Sequence, residues 1–309
     1  MPSTRRLLPW LLAGAWSLSL ASLHAAPPLV TFTSVPEVVG PGLISTSKPE
    51  VRIAVSPDGM RRLWGTIGWE GGPGGWDIWG SALANGVWSA PAPVSFNTPS
   101  KEFDPSFAPD GRGVYFFSNR PGGAGGDDLY FVPLDPVAGL YGSPVNLGPS
   151  VNGSKDEWAP VVSADGRYLL FASDSRGGLG LHDLYVAERL KKGAVESWGK
   201  TRALKGLNSK DDDFDAAWLS DGKTIVFSRK AETSEEMRLF VSRALGAVDG
   251  TYTPPMPLGS PINREGGMSL GPSVTAAEPG ALYFTSVSAT PASAPGLLDI
   301  FRVTYTLAP

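Results

Sequence analysis

Along the chain, short apolar runs of strand length alternate with polar stretches rich in Gly, Pro, Asn and Asp. Residues 102–147 show four of them: "EFDPSFAP", "GVYFFSNR", "DDLYFVPL" and the segment around "YGSPVNL". Runs of this length, closed by turn-forming residues, predict β-strands. The same order recurs. "SPDGMRRLWG" at 56, "APDGRGVYFF" at 107, "SADGRYLLFA" at 163 and "LSDGKTIVFS" at 219 are copies of one turn and strand, and "AAEPGALYFT" at 276 is a degenerate fifth. Their glycines, Gly59, Gly111, Gly166, Gly222 and Gly280, set a period of about 55 residues.

Three further features keep step with that period. An acid-aliphatic-aromatic triplet follows each glycine at Asp77, Asp128, Asp183 and Asp299, with Arg238 in its place in the fourth unit. An aromatic follows at Trp88, Tyr141, Trp198 and Tyr252. An Asn then precedes an acid by five residues: Asn97 and Glu102, Asn152 and Glu157, Asn208 and Asp213, whereas Asn263 is followed by Met268. Four antiparallel strands per unit, repeated radially, are the pattern of a β-propeller blade. The fifth unit has only three strands before Pro309, and a spare one, "PLVTFTSVP", lies at 28–36. The expected fold is therefore all-β: a five-bladed propeller over 27–309, closed by the N-terminal strand completing the last blade. Closure leaves no open sheet edge.

The first 26 residues read as an export signal. Arg5 and Arg6 precede the apolar run "LLPWLLAGAWSLSLASL", and small residues follow near Ala25 and Ala26. The expected location is periplasmic or secreted, with no integral membrane segment once the signal is removed. Composition agrees with the strand reading: 38 glycines, 29 prolines and only 18% charged residues disfavour long helices. The net charge is −4, or −6 without the first 26 residues, which hold two arginines and no acid. Such a surface has no general field for nucleic acid. The absence of cysteine removes disulfides, thiol catalysis and thiolate metal sites.

These motifs, most clearly the run "VNLGPSVNGSKDEWAPVVSADGRYLLFASDSRGGLGLHDLYVA" at 145–187, resemble the WD-like propeller repeats of TolB-like periplasmic proteins, as found beside OmpA-like domains. The resemblance covers five copies, against the six usual in TolB. It implies a propeller that binds partners in the cell envelope, although such propellers also host enzymes.

The glycine-rich loops "GGPGGWD" at 71–77, "GGAGGDD" at 122–128 and "GGLGLHD" at 177–183 look at first like phosphate cradles. Each runs between two strands and none feeds a helix, so a shared hairpin is the expectation. Asp77, Asp128, Asp183 and Asp299 are expected to bond the adjoining turns, and Gly59, Gly111, Gly166 and Gly222 to form them. The acids before each first strand are the functional candidates: Glu50, Glu102, Asp104, Asp156, Glu157, Asp213 and Asp215. They can ring the channel mouth and bind a cation, a basic peptide or a sugar, or bond turns of their own blades.

Catalysis has few carriers. His182 is the one histidine beyond the signal, and no G-x-S-x-G elbow occurs. Glu50, Asp104 and Glu157 remain as carboxylates for glycoside hydrolysis. "SKDDDFD" at 209–215 offers oxygen ligands to calcium in a spacing that fits no recognised loop. The resulting expectation is a monomeric, non-catalytic binding scaffold without cofactor or metal, whose partner is an envelope or periplasmic protein or a glycan. A carbohydrate-active enzyme is the alternative.

Overall fold

The computed structural model describes residues 28–190, 197–287 and 297–309. The signal reading at 1–26 and most of the fifth unit's hairpin lie outside them. The described chain is all-β and forms a five-bladed propeller of antiparallel sheets. It opens with β1 (Val30–Phe32) and β2 (Glu37–Val38). Blade one holds β3 (Glu50–Val55), β4 (Arg61–Ile67), β5 (Trp76–Ala84), β6 (Val87–Trp88) and β7 (Ala92–Pro93). Blade two holds β8 (Glu102–Phe107), β9 (Gly113–Ser118), β10 (Asp128–Pro133) and β11 (Val145–Asn146). Blade three holds β12 (Glu157–Val162), β13 (Tyr168–Ser173), β14 (Asp183–Glu188) and β15 (Arg202–Ala203). Blade four holds β16 (Asp212–Trp218), β17 (Thr224–Lys230), β18 (Met237–Arg243) and β19 (Met256–Pro257). Blade five holds β20 (Ser269–Thr275), β21 (Glu278–Ser286) and β22 (Asp299–Leu307).

The fourth strand of blade five comes from the other end of the chain. β1 pairs with β22, Val30 opposite Leu307 and Phe32 opposite Tyr305, and β2 pairs with β22 further along. The inner strands β3, β8, β12, β16 and β20 surround the axis in that order.

The apolar residues sort into five clusters, one at each blade–blade interface. Leu169 and Phe171 of β13 pack toward blade two, while Tyr168, Leu170 and Ala172 pack toward blade four. Both faces of a middle strand are buried, so β9 and β13 read as continuous apolar runs without alternation. Trp158 bridges two interfaces, with ring centroids 6.2 Å from Phe117 and 6.4 Å from Phe214.

The repeated motifs are the fastenings of this frame. Gly59, Gly111, Gly166 and Gly222 turn between first and second strands with φ of +63° to +74°. Asp77, Asp128 and Asp183 accept N–H bonds from the glycine-rich loop ahead of them, at 2.9 Å from Gly75, 2.5 Å from Ala124 and 2.7 Å from Leu179. Asp299 opens β22 beside a hairpin outside the described residues. The loop glycines also let blades touch. A Cβ on Gly74 would overlap the Ser100 carbonyl, and one on Gly180 the Asp211 carbonyl, each in the next blade. Each repeated Asn clips its linker to a third strand. Asn152 Oδ1 accepts the Leu129 N–H at 2.8 Å while its Nδ2 donates to the Leu129 carbonyl at 3.0 Å. Asn97, Asn208 and Asn263 do the same with Ile78, Leu184 and Leu239.

Candidate functional site

The axis is narrowed by one residue from each blade. Arg52, Asp104, Ala159, Asp215 and Gly271 occupy the third position of the glutamate, aspartate or serine triplets that begin at Glu50, Glu102, Glu157, Asp213 and Ser269. All five have positive φ, between +47° and +57°. The strand pairing is interrupted by a bulge at the same place in every blade. For the four non-glycine residues this backbone costs about 1–3 kcal/mol each. The bulge inverts which way the remainder of each inner strand faces.

Three of the five residues at the constriction are charged and buried. Arg52 is 1% exposed, Asp104 5% and Asp215 4%. Arg52 Nη1 stands 3.9 Å from Asp215 Oδ1, and its Nη2 donates to the Ala216 carbonyl at 3.4 Å. Asp215 Oδ2 also accepts the Gly271 N–H at 3.1 Å. Burial, reinforced by the charge of Asp215, pushes the Asp104 carboxyl well above the usual range. Burial raises Asp215 as well, against the opposing pull of Arg52.

On one side of this constriction lies an open cavity of about 380 Å³. The second halves of all five inner strands line it. Ile53, Phe107, Val161 and Trp218 supply apolar wall, Ser106 and Ser273 hydroxyls, and Arg52 the charged residue at the narrow end.

Of the seven acids expected at the mouth, Asp104 and Asp215 lie in the constriction, and the other five sit at the starts of the inner strands, on the other side, and point several ways. Glu50 accepts from Thr46 N–H at 3.0 Å, Thr46 Oγ1 at 2.6 Å and Trp69 Nε1 at 3.0 Å. Burial lifts its carboxyl to about 7. Glu102 accepts from Thr98 N–H at 2.5 Å, Ser118 Oγ at 2.8 Å and Arg120 Nη2 at 3.0 Å. Glu157 accepts from Gly153 N–H at 2.8 Å and Ser173 Oγ at 2.7 Å. Asp213 accepts from Ser209 N–H at 2.7 Å and Arg229 Nε at 2.5 Å. All four are fully buried. Each carboxylate thus clamps the turn four residues earlier in its own blade. Of the trio Glu50, Asp104 and Glu157, only Asp104 reaches the axis, and none of the three lines the cavity.

Asp156 behaves differently. Its Oδ1 accepts the Asp127 N–H at 2.8 Å across the blade boundary. In "SKDDDFD" the four acids have separate partners. Asp212 bonds His182, Asp213 bonds Ser209 and Arg229, Asp215 faces Arg52, and Asp211 Oδ1 lies 3.4 Å from the Glu232 N–H.

The sequence reading missed the position just before the hairpin acid. Trp76, Asp127, His182, Met237 and Leu298 occupy it, and no two are alike. These residues meet the next blade at the mouth. Trp76 packs on Phe103 at 5.0 Å, Asp127 accepts from Trp158 Nε1 at 3.0 Å, and His182 reaches Asp212. Variation at one site inside a fixed motif was the available signal.

No protein-family profile matches the chain, and no curated protein matches it in sequence. Solved structures share its fold. A thermostable family-43 glycoside hydrolase superposes with a TM-score of 0.55 at 11% identity, covering 88% of this chain and 94% of that one. The endo-arabinase of Bacteroides thetaiotaomicron gives 0.55 at 13% identity, covering 88% and 98%. TolB of Acinetobacter baumannii gives 0.49 at 16% identity, covering 83% of this chain. This chain spans 55% of that TolB's length. The kinship is one of architecture, and function must be argued from the residues.

Proposed function

We propose that this chain is an exported propeller that binds a partner in the axial cavity and performs no chemistry of its own. The observation that carries the reading is the separation of the open cavity from the carboxylates. The cavity wall is apolar and hydroxyl-bearing, and Arg52 is its one charged residue. Glu50 and Glu157 are committed to turns, so a glycoside positioned in the cavity meets no carboxylate pair there. Such a wall suits a protein segment with an apolar body, or the apolar face of a glycan. Export rests on the pattern of 1–26. No helix among the described residues is long and apolar enough to cross a membrane.

One observation favours a second reading. Asp104 is held toward its protonated form, and Asp215 faces Arg52. Two carboxylates in such unequal surroundings are the makings of a general acid and a second carboxylate held by a cation. The test is a crosslinking pull-down from the native envelope alongside a reducing-sugar assay on envelope polysaccharides. Ser106→Trp fills the cavity and should abolish capture of the wild-type partner. Polysaccharide turnover that is lost in Asp104→Asn, with capture insensitive to Ser106→Trp, would replace the binding reading with the hydrolytic one.

A further inference from the structure

Among the described residues, His182 is the one hairpin residue at the mouth whose ring is fixed from several directions yet left incomplete. Its backbone N–H donates to Asp212 Oδ1 at 3.0 Å, and its Nδ1 lies 2.8 Å from the same oxygen. Trp158 stacks on the ring face, with centroids 3.9 Å apart and planes inclined by 25°. The residue is only 7% exposed. A carboxylate against Nδ1 keeps the ring proton on that nitrogen and turns the lone pair of Nε2 outward from it. Nε2 is buried and has no hydrogen-bond partner. Leaving such a group unpaired costs about 1–3 kcal/mol.

Two further carboxylates lie near the ring. One oxygen of Asp156, one of Asp174 and a ring nitrogen of His182 lie within 4.8 Å of one another. Since Nδ1 belongs to Asp212, Nε2 is the nitrogen free to take part. Asp156 spends Oδ1 on the Asp127 N–H, and Asp174 spends Oδ1 on the Asp156 N–H. The competing cation is Lys155, whose Nζ is 3.5 Å from Asp174 Oδ2 on a side chain 63% exposed. Three acceptors, two of them anionic, therefore converge with no buried donor among them.

We propose that Asp156, Asp174 and His182 bind a divalent transition-metal ion, with Zn²⁺ the best match, at the blade three–blade four mouth. An imidazole nitrogen with two carboxylates suits Zn²⁺ or Mn²⁺, whereas Ca²⁺ and Mg²⁺ prefer oxygen alone. Asp212 is the outer carboxylate that orients a metal-binding imidazole. Ligands bonded at roughly 2.0–2.2 Å stand closer together than 4.8 Å. Rotation of the half-buried Asp174 side chain closes the difference. Three protein ligands leave a coordination position for water or for a donor from a partner. The proposal is independent of the cavity reading, because this mouth lies across the constriction from the cavity.

The test is isothermal titration of the metal-stripped full chain with ZnCl₂ and MnCl₂, with Co²⁺ absorption as a spectroscopic check. One equivalent of Zn²⁺ should bind. His182→Gln and Asp174→Asn should each weaken it at least tenfold, and Asp212→Asn by about 10–100-fold. Asp211→Asn should leave it unchanged. Asp174→Asn alters a partly exposed side chain, so it remains informative if His182→Gln fails to fold by circular dichroism. No saturable one-site binding would overturn the proposal. So would binding that survives both ligand variants.

Discussion

Asn152→Ala isolates the clip that ties each linker to its third strand. Asn152 is 2% exposed and Leu129, its backbone partner, is fully buried. The two ends of the clip differ. The Leu129 carbonyl keeps a second donor, the Leu147 N–H at 3.0 Å, after the side chain is removed. Asn146 Oδ1, which also loses an Asn152 donor, keeps the Gly148 N–H at 2.8 Å. The Leu129 N–H has only Asn152 Oδ1 and becomes an orphan. An orphaned buried donor costs about 1–3 kcal/mol, and each of the two other lost bonds about 0.5–1 kcal/mol net, so Asn152→Ala should destabilise by about 2–5 kcal/mol. At roughly 2–3 °C per kcal/mol for a chain of this size, the melting temperature should fall by about 4–15 °C. Urea titration followed by tryptophan fluorescence, with calorimetry, measures both. Asn97→Ala, at the half-buried copy in blade one, should cost less because water can take the place of its partly exposed amide. A loss below about 1 kcal/mol for Asn152→Ala, or a larger loss for Asn97→Ala, would refute the assignment of the Asn to a backbone clip.

The same geometry carries three further outcomes. Burial raises Glu50 from 4.5 to about 7, so the unfolded chain releases this proton first. Its stabilising contribution is full below pH 4.5 and is lost as pH rises to about 7, and Glu50→Gln should flatten that part of the stability–pH curve measured by denaturant titration. Gly180→Ala should destabilise strongly, since its Cβ meets the Asp211 carbonyl, whereas Gly246→Ala, with open space around it, should be nearly neutral in thermal melts. Arg52→Leu leaves Asp104 and Asp215 buried without their cation and should cost about 3–5 kcal/mol, with Asp215→Asn restoring part of it in a double-mutant cycle.

The frame was legible because its signals repeat. The turn glycines recur at one period, and an unfinished fifth unit with a spare N-terminal run determines where closure occurs. The acids were legible only in position. Their spacing places Glu50, Glu102, Glu157 and Asp213 at the strand starts, but the bulge two residues later reverses the facing of the second half of each inner strand. Only Gly271 among the five bulge residues is of a type that announces positive φ. Arg52, Asp104, Ala159 and Asp215 adopt it because two neighbouring blades enforce it, and that constraint is tertiary. His182 was hidden for a related reason. Its partners Asp156 and Asp174 come from separate loops of blade three, and Asp212 joins them only once blade four is stacked against it.

The clasp between β1 and β22 has a consequence for the order of events during synthesis. Val30–Phe32 emerges among the first residues of the propeller, but its partner, Asp299–Leu307, emerges after every other described strand. Blades one to four can assemble as an arc while the opening strand waits unpaired. Completion is therefore a single late step that senses whether the whole propeller has been delivered. A chain stopped before β22 retains most of its sheets yet exposes two bare edges, and is marked by them as unfinished.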